Sequence, residues 1–107
     1  MDAFEQSLYV TALFDLYQDL LTEKQVAYMK DYYYDDLSLQ EIAENHGVSR
    51  NAVHDQIKKT VKKLEQFEHA LSLHEKQEKR KKLIAALEEE PMTEHGKTLI
   101  EALKKVE

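Results

Sequence analysis

Apolar residues recur along this chain at intervals of three and four, and almost nowhere in strict alternation, so the pattern predicts helices from end to end. Five segments can be drawn. The first spans about Glu5 to Leu20, with Leu8, Ala12, Leu13, Leu16, Tyr17 and Leu20 on one face. Thr22 with Gln25 makes a capping box that restarts the chain, and the second helix runs to about Tyr34, burying Val26, Met29 and Tyr33. Asp35, Asp36 and Leu37 connect it to a short third helix whose inner face is Ile42 and Ala43. The fourth meets no breaker from Arg50 to Glu90, and Val53, Ile57, Val61, Leu64, Phe67 and Leu71 form one seam along it. Its apolar content thins through residues 74–82, with a bend or weak point expected near 74–78. Pro91 ends it, because the proline ring forbids continuation. Thr93 opens a last helix through Leu99, Ile100, Leu103 and Val106.

Residues 38–64 carry the most specific signal, that of a helix-turn-helix. Ser38 and Glu41 form a second capping box: the hydroxyl takes an orphan N–H while the carboxylate reaches back. Ala43 is small enough for a second helix to cross closely. Gly47 stands where the chain must turn and where only glycine takes positive φ cheaply. Val48 plugs the turn, Ser49 caps the next helix, and Val53 and Ile57 face inward at an i, i+4 spacing. All of these requirements are met in about one twenty-residue window, the size of this motif.

Composition narrows the class. With Gly47, Gly96 and Pro91 as the only glycines and proline in 107 residues, the chain lacks the turn residues a β protein needs. It contains no cysteine, which excludes disulfides and thiolate metal sites. No apolar run approaches the roughly 18 residues that span a bilayer, and the start Met-Asp-Ala-Phe-Glu-Gln lacks a basic leader. A cytoplasmic protein without membrane insertion is expected. The net charge is −6, but it is unevenly spread. Residues 1–45 hold ten acids against two bases; residues 46–63 hold Arg50, Lys58, Lys59, Lys62 and Lys63 against Asp55 alone. Residues 64–107 hold ten acids and eight bases, so of the three stretches only 46–63, the second helix of the motif, is net basic, as a phosphate-contacting surface requires. A lysine stripe on an ordinary solvated helix has the same appearance, and it is the attached motif that favours phosphate.

The chain resembles the YlxM family, small bacterial proteins associated by gene neighbourhood with the signal-recognition-particle GTPase. The likeness rests on Leu13-Phe14-Asp15-Leu16-Tyr17, Leu20-Leu21-Thr22-Glu23-Lys24-Gln25, the run from Tyr32 to Ala43, and Val48-Ser49-Arg50-Asn51-Ala52-Val53. Residues 22–64 are also similar to region 4 of extracytoplasmic-function sigma factors, which bind promoter DNA. The resemblance implies an all-α protein with a sigma-region-4-like helix-turn-helix domain and a regulatory role in the signal recognition particle pathway. The expected layout is a domain at 1–73 with a long fourth helix, then a helical extension at 74–107.

If the motif holds DNA, its second helix lies in the major groove with its N-terminal residues nearest the bases. Ser49, Arg50, Asn51, His54 and Asp55 then point outward. Arg50 suits guanine and Asn51 adenine, each bidentate and worth roughly 1–3 kcal/mol of discrimination. Lys58, Lys59, Lys62 and Gln40 would contact the backbone, which positions without specifying. The bland alternative for Arg50 is an ion pair with Glu44 or Asp55, worth little at a surface. Asp55 and the acidic first 45 residues oppose DNA unless they face away. The competing function is a helical adapter that binds no DNA and docks on a protein or RNA of the targeting machinery. A seam of Leu64, Phe67 and Leu71 that outlasts its intradomain partners points to a homodimer.

An enzyme fits poorly. The five histidines, His46, His54, His69, His74 and His95, lack the i, i+4 metal spacing, and there is no glycine-rich phosphate loop or activated nucleophile. No catalytic residue, metal or cofactor is expected. Tyr32, Tyr33 and Tyr34 cannot share one helical face, each step turning about 100°. One or two should pack in the core with hydroxyls at the rim; stacking on single-stranded RNA is opposed by Asp31, Asp35 and Asp36.

Overall fold

The computed structural model describes residues 2–106, and these form six α-helices with no strand among them. They are α1 (Ala3–Tyr17), α2 (Glu23–Tyr33), α3 (Leu39–His46), α4 (Arg50–Leu71), α5 (Leu73–Glu88) and α6 (Glu94–Val106), with a 3-10 turn at Gln18–Leu20 after α1. The chain divides between Leu71 and Ser72 into two compact units.

In the first unit the helix starts are set by local chemistry. Asp2 accepts the Glu5 N–H at 2.8 Å and caps α1. Thr22 and Gln25 satisfy each other's backbone N–H groups at 3.2 and 2.9 Å, and Ser38 and Glu41 do the same, both at 3.0 Å. α3 stops at Gly47, whose φ of 66° and ψ of 36° are left-handed, and its N–H returns to the Ala43 carbonyl. Ser49 restarts the chain by accepting the Ala52 N–H at 3.0 Å.

Each helix gives one face to a shared core of Val10, Leu13, Phe14, Tyr17, Tyr28, Met29, Ile42, Ala43, Val53, Ile57 and Leu64. α4 packs against α1, α2 and α3 and is the element they share. Burying a large apolar side chain stabilises by about 1.5–3 kcal/mol, so this cluster is what holds the unit together. Thr60, the one buried polar side chain among the described residues, donates its hydroxyl to the Gln56 carbonyl at 2.7 Å and leaves nothing unsatisfied. Tyr17 packs on Phe67, ring centroids 5.9 Å apart, and donates its hydroxyl to Glu68 at 2.6 Å, which ties α1 to the far end of α4. Tyr34 does the same between the end of α2 and α1, donating to Asp15 at 2.7 Å beside Phe14.

The second unit is a helical hairpin. Thr93 caps α6 by accepting the Gly96 N–H at 3.0 Å, Lys104 bridges back to Glu88 at 2.7 Å, and Ile84 and Ile100 are its buried side chains. α5 ends three residues before Pro91, since the residue preceding a proline is kept out of helical geometry.

Four expectations change. The core face of α1 is Val10, Leu13, Phe14 and Tyr17, while Leu8 and Leu20 are exposed, Leu20 because the 3-10 turn rotates it off the helical stripe. In α2 the fully buried pair is Tyr28 and Met29; Val26 and Tyr33 pack at the margin. The helix drawn from Arg50 to Glu90 breaks at Ser72, where φ is 54° and ψ 31°. That left-handed geometry costs a non-glycine residue roughly 1–2 kcal/mol, and it occurs where α4's hold on the core runs out. Finally, Leu64 does have a partner in its own unit: it is wholly buried, Phe67 is half-buried against Tyr17, and of the seam Leu71 alone is exposed.

Candidate nucleic-acid interface

The turn between α3 and α4 fixes the start of the second motif helix. Gly47 reverses the chain, Val48 packs against the core with its N–H on the Ala43 carbonyl at 3.0 Å, and Ser49 closes the cap. The first motif helix is anchored as well. His46, the last residue of α3, lies edge-on to Tyr28 with centroids 4.7 Å apart and reaches Asp31 of α2 at 2.9 Å. This contact also occupies one of the acids that would oppose a phosphate.

On that frame Arg50, Asn51, His54, Asp55, Lys58, Lys59 and Lys62 are all exposed. Arg50 makes no ion pair among the described residues, neither with Glu44 nor with Asp55, so its guanidinium fork is open to a ligand. Asp55 instead lies 3.9 Å from His54. The Ser49 hydroxyl accepts from the Ala52 N–H, which fixes its role as a cap first. Gln40 donates to Glu44 at 3.2 Å, an exposed contact that a phosphate could displace. The helix therefore presents Arg50, His54, Lys58 and Lys62 at steps of four, with Val53, Ile57 and Leu64 turned into the core.

These side chains fall into two groups. His54, Lys58 and Lys62 border a groove of about 410 Å³ whose apolar walls are Tyr32, Tyr33, Leu39, Ile57 and Val61, with Glu65 also at its edge. Arg50, Asn51 and Lys59 lie outside it. Tyr32 and Tyr33 meet edge to face at 5.0 Å, and burial followed by the neighbouring Tyr32 pushes the Tyr33 phenol up, so it stays neutral. The groove was missed in the sequence because α2 and α4 meet there only after folding; the one signal available was the aromatic run itself.

A family profile described as "Putative helix-turn-helix protein, YlxM / p13 like" (UPF0122) matches residues 4–106. The chain belongs to the UPF0122 family. UPF0122 proteins of Bacillus cereus strain AH187, Bacillus anthracis strain A0248 and Bacillus thuringiensis subsp. konkukian strain 97-27 are each 47% identical to it over 108 residues, covering 96% of this chain and 98% of the relative. The match thus includes both the helix-turn-helix unit and the hairpin that follows. No group of three or more histidine, cysteine, aspartate or glutamate side chains is placed to hold a metal among the described residues, and no helix there is long and apolar enough to cross a membrane.

Proposed function

We propose that this UPF0122 member is a DNA-binding regulatory protein whose α4 enters the major groove. The observation that carries this reading is an unpaired Arg50 beside Asn51 in the first turn of a capped, core-anchored helix, with Lys58, Lys59 and Lys62 exposed behind them. Arg50 and Asn51 read bases, and the lysines and Gln40 hold phosphates, which accounts for the basic character of α4 in an acidic chain. The regulatory setting, protein targeting by the signal recognition particle, rests on the family resemblance.

The test is retention of genomic DNA fragments at low salt. Wild type should retain them, Arg50→Ala with Lys58→Ala should not, and affinity should fall steeply as salt rises because phosphate contacts release counterions. Wild type that retains nothing would sink the reading.

The groove favours a second reading. A largely apolar trough bordered by His54, Lys58 and Lys62 suits an acidic amphipathic helix of a targeting partner better than a sugar-phosphate chain. An adapter of this kind would bind with weak salt dependence, and Val61→Asp would abolish it while sparing DNA.

A further inference from the structure

The hairpin of α5 and α6 is too small for the surface it exposes. It comprises fewer than 40 residues, buries Ile84 and Ile100, and leaves Leu83 70%, Leu87 47%, Leu99 57%, Leu103 43% and Val106 82% exposed. Units below about 40 residues usually need a disulfide, a metal or a partner to stay folded. This chain has no cysteine, and no metal-ligating cluster is found among the described residues. Leu99, Leu103 and Val106 follow one another at four and three residues, a single stripe along α6, and Leu83 and Leu87 are one turn apart on α5.

The charge along α5 identifies the partner. Residues 75–82 hold five bases against Glu75 and Glu78, whereas residues 83–90 hold Glu88, Glu89 and Glu90 and no base. This order runs against the helix macrodipole, which favours acids at the N-terminus and cations at the C-terminus. Within the hairpin it is met only in part: Lys79 pairs with Glu75 at 3.2 Å, Lys81 with Glu78 at 3.7 Å and Glu88 with Lys104 of α6 at 2.7 Å, while Glu89 and Glu90 stand at the end of α5 that the dipole makes unfavourable for acids. Lys76, Glu89 and Glu90 are all exposed. A helix that is cationic along one half and anionic along the other is complementary to a copy of itself laid antiparallel, which is the self-matching that a two-fold interface requires.

We propose that the α5–α6 hairpin is a self-association module: two copies pack face to face, α5 antiparallel to its counterpart, into a four-helix bundle that covers the leucine stripes. The cationic stretch of each α5 then lies along Glu89 and Glu90 of the other, Glu88 being held by Lys104 of its own hairpin at 2.7 Å. The dimer contact belongs to the hairpin, and the seam of Leu64, Phe67 and Leu71 belongs mainly to the first unit's own core. This inference does not depend on DNA: a dimer that retains no DNA would leave it standing and sink only the previous reading.

Sedimentation equilibrium of the full chain over a micromolar range tests it. Wild type should weigh twice the 12.6 kDa of one chain. Lys76→Glu with Lys79→Glu should raise the dimer Kd at least about tenfold, as should Glu89→Lys with Glu90→Lys, a tenfold change being about 1.4 kcal/mol. All four changes together should return the Kd toward wild type. The Glu89→Lys, Glu90→Lys pair improves the match to the α5 macrodipole, so for it a merely structural role predicts the opposite sign, a helix no weaker and a dimer unchanged. Lys79→Glu also breaks the Glu75–Lys79 pair at 3.2 Å, so for the lysine pair it is the recovery in the fourfold variant that reads the match between chains. A wild type that stays at 12.6 kDa throughout, or a fourfold variant no tighter than either pair, overturns the proposal.

Discussion

The two units of this chain solve the same problem in opposite ways. The first wraps three helices around α4 and buries eleven side chains in one cluster, four of them on α1. The second lays two helices together over Ile84 and Ile100 and leaves its leucines in water. The ratio of buried to exposed apolar surface, and not helix content, separates a unit that can stand alone from one that needs company. The functions proposed for the two units follow the same division. A recognition helix must be held rigidly by its own core if its first turn is to present Arg50 and Asn51 in register. A self-association module must instead keep its apolar stripes uncovered until a second copy arrives.

The largest expected effect is in the core of the first unit. Leu64→Ala removes a fully buried side chain from α4 and should cost about 2–5 kcal/mol, read as a lowered denaturation midpoint. Ile100→Ala makes the same kind of change in the hairpin. It should leave the unfolding of the first unit unchanged and act on hydrogen exchange in α5 and α6 and on the dimer Kd. Equal losses from both substitutions in one cooperative transition would erase the distinction between the units.

How much of this was legible in the sequence depends on the range of the interaction. The two capping boxes, the turn at Gly47 and the inward pair Val53 and Ile57 are written within a few residues of one another, and the helix-turn-helix could be read from them. The core face of α1 could not, because Leu8 and Val10 are equally apolar and only the position of α4 decides which is covered. Tyr28 is buried because His46 and the core close over it from elements that are distant in sequence. Ser72 takes a left-handed conformation with no glycine to signal it. In the candidate site, the exposure of Arg50 and the lysines followed from the period of α4. The groove could not be foreseen, since its walls come from α2, α3 and α4 together. The charge order of α5 was present throughout, and it acquires meaning once the hairpin is seen to leave its leucines bare.

A smaller effect separates backbone from packing in the first unit. A Cβ at Gly47 would meet nothing within 4 Å, so Gly47→Ala adds no clash. It would still force alanine to a φ of 66°, which costs about 1–2 kcal/mol. The loss should appear as reduced stability of the first unit and as slack in the α3–α4 turn, weakening DNA retention more than it weakens the dimer. A dimer Kd that moves as far as DNA retention does would mean that the two units are not separate.

The smallest effect is at the start of α3 and depends on pH. Ser38→Ala removes the hydroxyl that accepts the Glu41 N–H at 3.0 Å and should cost about 1 kcal/mol. Glu41 is the reciprocal half of the box. The backbone N–H of Ser38, and after it the Ser38 side chain, hold its carboxyl below the usual value of 4.5. Its folded value is the lower one, so the contribution is complete above 4.5 and is lost as pH falls through the folded value. Glu41→Gln keeps an oxygen that can accept the same bond but does not titrate. Wild type should therefore lose stability relative to Glu41→Gln as pH drops below 4.5, measured by denaturant midpoints across that range. The dimer should not report this difference, because α3 belongs to the first unit and the proposed dimer contact to the second. A parallel loss in dimer Kd, specific to wild type, would show that the helix-turn-helix and the hairpin share one stability after all.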